Sequence, residues 1–137
     1  MPRVTAVLET SLYVDDLDRS IHFYKDVFQL EPLMADSRFC AFSVSGRQVL
    51  LLFSKGASAQ PTETRGGTIP GHDADGRSHL AFSIAASDLD GWKHRLEEKN
   101  IALESSVKWP RGGQSLYFRD PDGHLLELVT PGTWSIY

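Results

Sequence analysis

Glu9-Thr-Ser-Leu-Tyr-Val14, followed by Asp15-Asp-Leu-Asp18 and a helical pattern, recurs later in the chain as His79-Leu-Ala-Phe-Ser-Ile84, followed by Ala-Ala-Ser-Asp-Leu-Asp90 and a second helical pattern. A sequence written twice is the first thing to seek in a new chain, because it dictates the architecture. The two copies register with a two-residue insertion before the second helix. Both opening segments, 7–14 and 78–84, alternate apolar and polar residues and read as strands. Leu8, Leu12 and Val14 share one face, leaving Glu9, Ser11 and Tyr13 on the other. In the second copy Leu80, Phe82 and Ile84 oppose His79, Ala81 and Ser83.

The first helix is expected over 17–28, with Leu17, Ile21, Tyr24 and Phe28 on one stripe and Asp15 or Asp16 as its cap. The second is expected over 89–99, with Leu89, Trp92 and Leu96 inward and Ser87 to Asp90 in the pattern of a capping box. Three strand-like segments follow each helix: 33–35, 39–44 and 48–53 in the first copy, 103–108, 114–118 and 125–129 in the second. Ser45-Gly46-Arg47 and Asp120-Pro121-Asp122-Gly123 supply the turns before the last strand of each set. Each copy is therefore β-α-β-β-β, and the fold class is α+β. The single domain comprises a first module at 1–55, a connector at 56–76 and a second module at 77–137. The connector is rich in Gly, Ser, Thr and Pro and reads as a linker and lid. Two four-stranded sheets with helices behind them are expected to form an open cup, whose concave face is left for a ligand.

The chain of 137 residues can bury a proper core, and 23% charged residues suit a soluble globular protein. A net charge of −4 leaves no basic footprint for nucleic acid. No apolar run approaches the length of a membrane span, and the opening Met1-Pro2-Arg3-Val4 lacks the apolar core of a signal peptide. A cytoplasmic location is expected. The one cysteine, Cys40, lies in an apolar strand and reads as a buried hydrophobe.

Three ionisable residues sit in strands where surface charge is not the natural reading. Glu9 follows Val7-Leu8, His79 precedes Leu80-Ala81-Phe82, and Glu127 interrupts Leu125-Leu126-Glu127-Leu128-Val129. A carboxylate in such a run is costly to desolvate unless it is paired or metal-bound. The repeat places Glu9 and His79 at equivalent points, while the counterpart of Glu127 is Leu50 or Leu51. Two carboxylates and an imidazole supply three positions to a divalent ion and leave others open for substrate, with Mn, Fe, Ni, Co, Mg and Zn all compatible. His72, Asp73 and Asp75 lie in the Gly-rich connector and read as a solvated loop, His22 and His94 as helix-surface residues, and His124 as a hairpin cap.

These residues bring the chain close to a known family. Leu17-Asp-Arg-Ser-Ile-His-Phe-Tyr-Lys-Asp-Val-Phe28, Ser78-His-Leu-Ala-Phe-Ser-Ile84 and Tyr117-Phe-Arg-Asp-Pro-Asp-Gly-His-Leu-Leu-Glu-Leu128 resemble the vicinal-oxygen-chelate superfamily of glyoxalases, fosfomycin-resistance thiol transferases, extradiol dioxygenases and bleomycin-resistance proteins. The resemblance covers essentially the whole chain. It implies paired βαβββ modules and a metal held by Glu9, His79 and Glu127. The segment 114–127 is most similar to the fosfomycin-resistance enzymes, which implies substrate-side roles for Ser11, Ser115 and Tyr117. Two departures stand out: the first ligand is Glu9 rather than a histidine, and the tail Thr130-Pro-Gly-Thr-Trp-Ser-Ile-Tyr137 carries no arginine.

Glu127 and Tyr117 are the candidate catalytic groups. Ser11, Ser115, Tyr117, Arg119, Trp109 and Arg111 are the candidate substrate contacts, the last two on a 108–113 loop read as a gate. The expected activity is a divalent-metal-dependent reaction on a small oxygen-rich molecule, of isomerase, lyase, transferase or dioxygenase type. The alternative is a metal-free protein that sequesters an antibiotic-like small molecule. The resemblance also implies a homodimer.

Overall fold

Alternating strand patterns and two apolar helical stripes give ten strands and two α-helices in the computed structural model, which describes all 137 residues. The chain divides into two units, Met1–Asp75 and Gly76–Tyr137.

In the first unit β1 (Glu9–Val14), α1 (Leu17–Phe28), β2 (Glu31–Ala35), β3 (Phe39–Val44) and β4 (Gln48–Ser54) form a sheet of order β1-β4-β3-β2. β1 runs parallel to β4 and the other neighbours are antiparallel. The helix starts where Asp16 accepts the Arg19 backbone N–H at 3.0 Å, and ends at Gln29 in the left-handed region. Leu17, Tyr24 and Val27 are buried with Leu12, Val14, Cys40, Phe42, Leu50 and Leu52, one alternating set from each of β1, β3 and β4. Each such side chain contributes about 1.5–3 kcal/mol of burial. Burial also pushes the Cys40 thiol above its ordinary pKa, as suits an apolar filler. Ser45 and Gly46 both take positive φ, so a tight hairpin joins β3 to β4.

The connector is more ordered than its composition suggests. β5 (Thr62–Thr64) and β6 (Gly67–Ile69) form a small hairpin that belongs to the first unit.

The second unit repeats the plan with β7 (His79–Ser83), α2 (Leu89–Glu98), β8 (Ser105–Lys108), β9 (Gln114–Arg119) and β10 (Leu125–Val129), in the order β7-β10-β9-β8. Leu89, Leu96, Leu116, Phe118, Leu126 and Leu128 form its core. The capping box expected from Ser87 and Asp90 is not formed. A 3-10 turn at Ala86–Asp88 leads directly into α2, and the cap residue Asp88 makes no side-chain cap bond. No helix is long and apolar enough to cross a membrane.

Candidate metal centre and substrate cavity

The register of the second sheet decides which polar side chains meet. Leu125 pairs with His79 on one side and Arg119 on the other, and Glu127 pairs with Ala81 and Tyr117. Because side chains alternate, His79, Glu127, Tyr117, Ser115 and Arg119 share the face opposite the core residues Leu116, Phe118, Leu126 and Leu128. The same register in the first sheet pairs Leu51 with Ser11, as Glu127 pairs with Ala81. The counterpart of Glu127 is therefore Leu51, not Leu50.

Glu127 is 7% exposed, and both its oxygens are engaged. Ser115 donates its hydroxyl to Oε2 at 2.5 Å, and the Trp109 indole N–H donates to that same Ser115 oxygen at 2.8 Å. His79 Nε2 lies 3.1 Å from Oε1. The other ring nitrogen of His79 is 3.0 Å from the Leu125 carbonyl oxygen, which can only accept, so Nδ1 carries the proton. In the neutral ring Nε2 is then a lone pair facing a carboxylate oxygen. Two acceptors at that distance require a proton or a cation between them.

A divalent cation fits the donor set. Two ligand atoms each about 2.1 Å from one ion and at right angles are roughly 3 Å apart, matching the observed pair. A ligating histidine commonly donates its second N–H to a carbonyl, as His79 does, and a ligating carboxylate is commonly held by a further hydrogen bond, as Glu127 is by Ser115. The His79 side chain is 50% exposed, leaving room for further ligands. Neither unit by itself gathers three His, Cys, Asp or Glu side chains into a metal-holding group.

Tyr117 completes the face. Burial raises its phenol pKa, a hydrogen bond with Ser115 partly opposes this, and the charge and hydrogen bond of Glu127 raise it again. It therefore stays an O–H donor. Arg119 is committed elsewhere: Nε and Nη2 grip Glu104 at 2.6 and 3.0 Å, and Nη1 donates to the Gly123 carbonyl at 3.0 Å. That ion pair holds the Glu104 carboxyl below its ordinary range. The 108–113 segment is a tied turn: the Trp109 N–H reaches Gly113 O at 2.8 Å and the Gly112 N–H reaches Trp109 O at 2.9 Å. Its indole anchors Ser115, while Arg111 is exposed at the tip.

His124 is 1% exposed and does more than cap its hairpin. Its Nδ1 accepts the Ser78 backbone N–H at 2.8 Å, fixing the start of β7 immediately before His79. Asp120 organises that turn by accepting the Asp122 and His124 N–H groups.

In the first unit Glu9, Ser11 and Tyr13 line a cavity of about 490 Å³, together with Leu51, Phe53 and Phe39 from the sheet and Ser58, Thr62, Ile69 and His72 from the connector. Here the solvated-loop reading holds for the exposed Asp73 and Asp75 but fails for His72. His72 is half-buried, with Nδ1 2.6 Å from the Tyr13 hydroxyl, and its backbone N–H and carbonyl both bond Ser58, at 2.8 and 2.7 Å. Asp73 accepts the Gly56 N–H, and Asp75 pairs with Lys55. Burial, and then the charge of Asp73, raise the Tyr13 phenol pKa. His22 and His94 are exposed, as expected. The sequence missed the row formed by Tyr13, Phe53 and Phe39; its signal was three aromatic residues on outward strand positions, legible only once the register is known. No sequence signal marked His72.

Known proteins resemble this chain along most of its length. The family model for the glyoxalase/bleomycin resistance protein/dioxygenase superfamily matches residues 6–128. The chain is 33% identical over 129 residues to the metallothiol transferase FosB of Shouchella clausii, covering 93% of this chain and 81% of that protein. It is 32% identical to the protein of the same name from Bacillus licheniformis, covering 85% and 70%. A crystal structure of lactoylglutathione lyase from Agrobacterium tumefaciens superposes with a TM-score of 0.88 at 37% identity, covering 98% and 99%. The chain is an enzyme of the glyoxalase type. It belongs to the glyoxalase/bleomycin resistance protein/dioxygenase superfamily.

Proposed function

We propose that this enzyme is metal-dependent and handles a thiol compound, in a transfer or lyase reaction on a small oxygen-rich substrate. The observation that carries the metal is the placement of His79 Nε2 3.1 Å from Glu127 Oε1 while Nδ1 is committed to the Leu125 carbonyl. We assign Glu9, the residue in register with His79 in the repeat, as the third ligand. A divalent ion at these residues supplies Lewis-acid stabilisation of negative charge developing on a substrate oxygen. The protein's part is orientation. Trp109 fixes Ser115, Ser115 fixes Glu127, and Leu125 fixes the histidine tautomer. Tyr117 keeps its proton and offers it as a hydrogen bond to an oxygen beside Glu127. The thiol is supported by the names of the relatives, a metallothiol transferase and a lactoylglutathione lyase.

Metal analysis after reconstitution with Mn²⁺ tests the reading. One equivalent per chain is expected for wild type and under a tenth for His79→Ala and Glu127→Gln. Turnover of electrophilic epoxide and 2-oxoaldehyde substrates with glutathione, lost on chelation, is the expected activity. Full metal content in both variants, or turnover indifferent to chelator, contradicts it.

A further inference from the structure

The cavity of the first unit carries features that the metal reading does not use. Its floor is a row of three rings from three adjacent strands: Tyr13 stacks on Phe53 with centroids 5.7 Å apart, and Phe53 stacks on Phe39 at 5.7 Å. Register sets this row, since Tyr13 pairs with Phe53 and Phe53 with Phe39. All three rings are only half-buried, whereas Leu12, Val14, Cys40, Phe42, Leu50 and Leu52 on the other face of the same strands are fully covered. Half-exposed rings under a roof offer an apolar aromatic surface to whatever enters.

The roof is as specific as the floor. His72 stands edge-on to Phe53 at 4.7 Å and to Tyr13 at 5.8 Å. Tyr13 and Ser58 occupy its Nδ1 edge and its backbone. Whichever of Tyr13 and His72 carries the shared proton, Nε2 is left over, able to pair with a hydroxyl group as donor or acceptor. Gly71 admits this approach, because a Cβ there would meet the Ala59 carbonyl oxygen at 2.2 Å. Arg38 lies at the same end, beside Phe39, with Nη1 bonded to Thr62 at 3.3 Å. Glu9 is four residues away along β1, about 13 Å at the rise of a strand. The cavity thus has an aromatic body, a hydrogen-bonding end at His72 and Arg38, and a far end at Glu9. Its volume of about 490 Å³ is that of an ordinary ligand site.

We infer that this cavity binds a planar aromatic molecule carrying an oxygen substituent, its ring against Tyr13, Phe53 and Phe39 and its oxygen on His72 Nε2. A small aliphatic acid would leave the aromatic row unused. The inference deepens the proposed function and rests on it in one respect, that the reacting end of the substrate lies toward Glu9.

The test uses full-length, EDTA-treated protein and 2-naphthol as probe, followed by its own fluorescence, with naphthalene and methylphosphonate as comparators. Wild type should bind 2-naphthol about three- to tenfold more tightly than naphthalene, the value of one hydrogen bond. Methylphosphonate should not compete. His72→Phe should abolish the preference while retaining the ring's affinity, and Phe53→Ala should weaken both aromatic probes about tenfold. Ala57→Phe, which fills the cavity from the connector, should block binding even if Phe53→Ala fails to fold. No binding by wild type, an unchanged preference in His72→Phe, or full affinity in Ala57→Phe overturns the inference. Manganese uptake measured on the same samples separates its failure from failure of the metal reading.

Discussion

Ser115 answers two demands with one hydroxyl: it accepts the Trp109 indole N–H and turns its own proton onto Glu127. That leaves the carboxylate with one oxygen fixed and the other facing His79. Removing such a support from a ligating group typically costs 10–100-fold in metal affinity. Ser115→Ala is therefore expected to weaken Mn²⁺ binding by roughly that factor with little change in fold, as measured by titration calorimetry. Unchanged affinity would show that Glu127 needs no such holding. At this scale the sequence carried much of the second unit. Glu127 was conspicuous as a charge inside an apolar run, and His79 through its place in the repeat. Arg119 shows what sequence cannot supply: its strand position suggested a substrate contact, but its guanidinium is held by Glu104 and Gly123. His72 was hidden for the converse reason, since its meaning depends on Tyr13, distant in the chain.

Among the elements, the turn carrying Trp109 depends on a close approach of backbones. The Gly113 N–H donates to Gly132 O at 3.1 Å, and a Cβ on Gly113 would sit 2.6 Å from the Gly132 carbonyl carbon. Gly113→Ala must move either the turn or the C-terminal segment. A loss of about 1–3 kcal/mol is expected in chemical denaturation, with a change in Trp109 fluorescence. An unaltered midpoint would mean the two segments are free to part. The strands and helices themselves were legible to within a residue or two at most ends, because alternation and capping are local signals. The β5–β6 hairpin was not, because its residues are mostly polar and exposed and its order comes from its own backbone pairing and threonine hydrogen bonds. The α2 start was misread for a similar reason, as a 3-10 turn does the work expected of a side-chain cap.

Taken as a whole molecule, the chain exposes apolar residues that a monomer has reason to hide. Leu33 and Met34 stand out on the edge strand β2, and Trp134 and Ile136 near the C-terminus. With the resemblance behind it, this supports the proposal of a homodimer. Light scattering after gel filtration is expected to give twice the 15.3 kDa of one chain, and a single-chain mass at micromolar concentration would contradict it. The duplicated βαβββ plan was readable from the opening repeat, since a period in sequence becomes a period in structure. The most direct test of the account is anomalous scattering from a crystal of the Mn²⁺-loaded enzyme. The account predicts one peak per chain, within bonding distance of His79 Nε2 and Glu127 Oε1. No peak there at full metal loading, or a peak elsewhere with His79 still paired to Glu127, would contradict it.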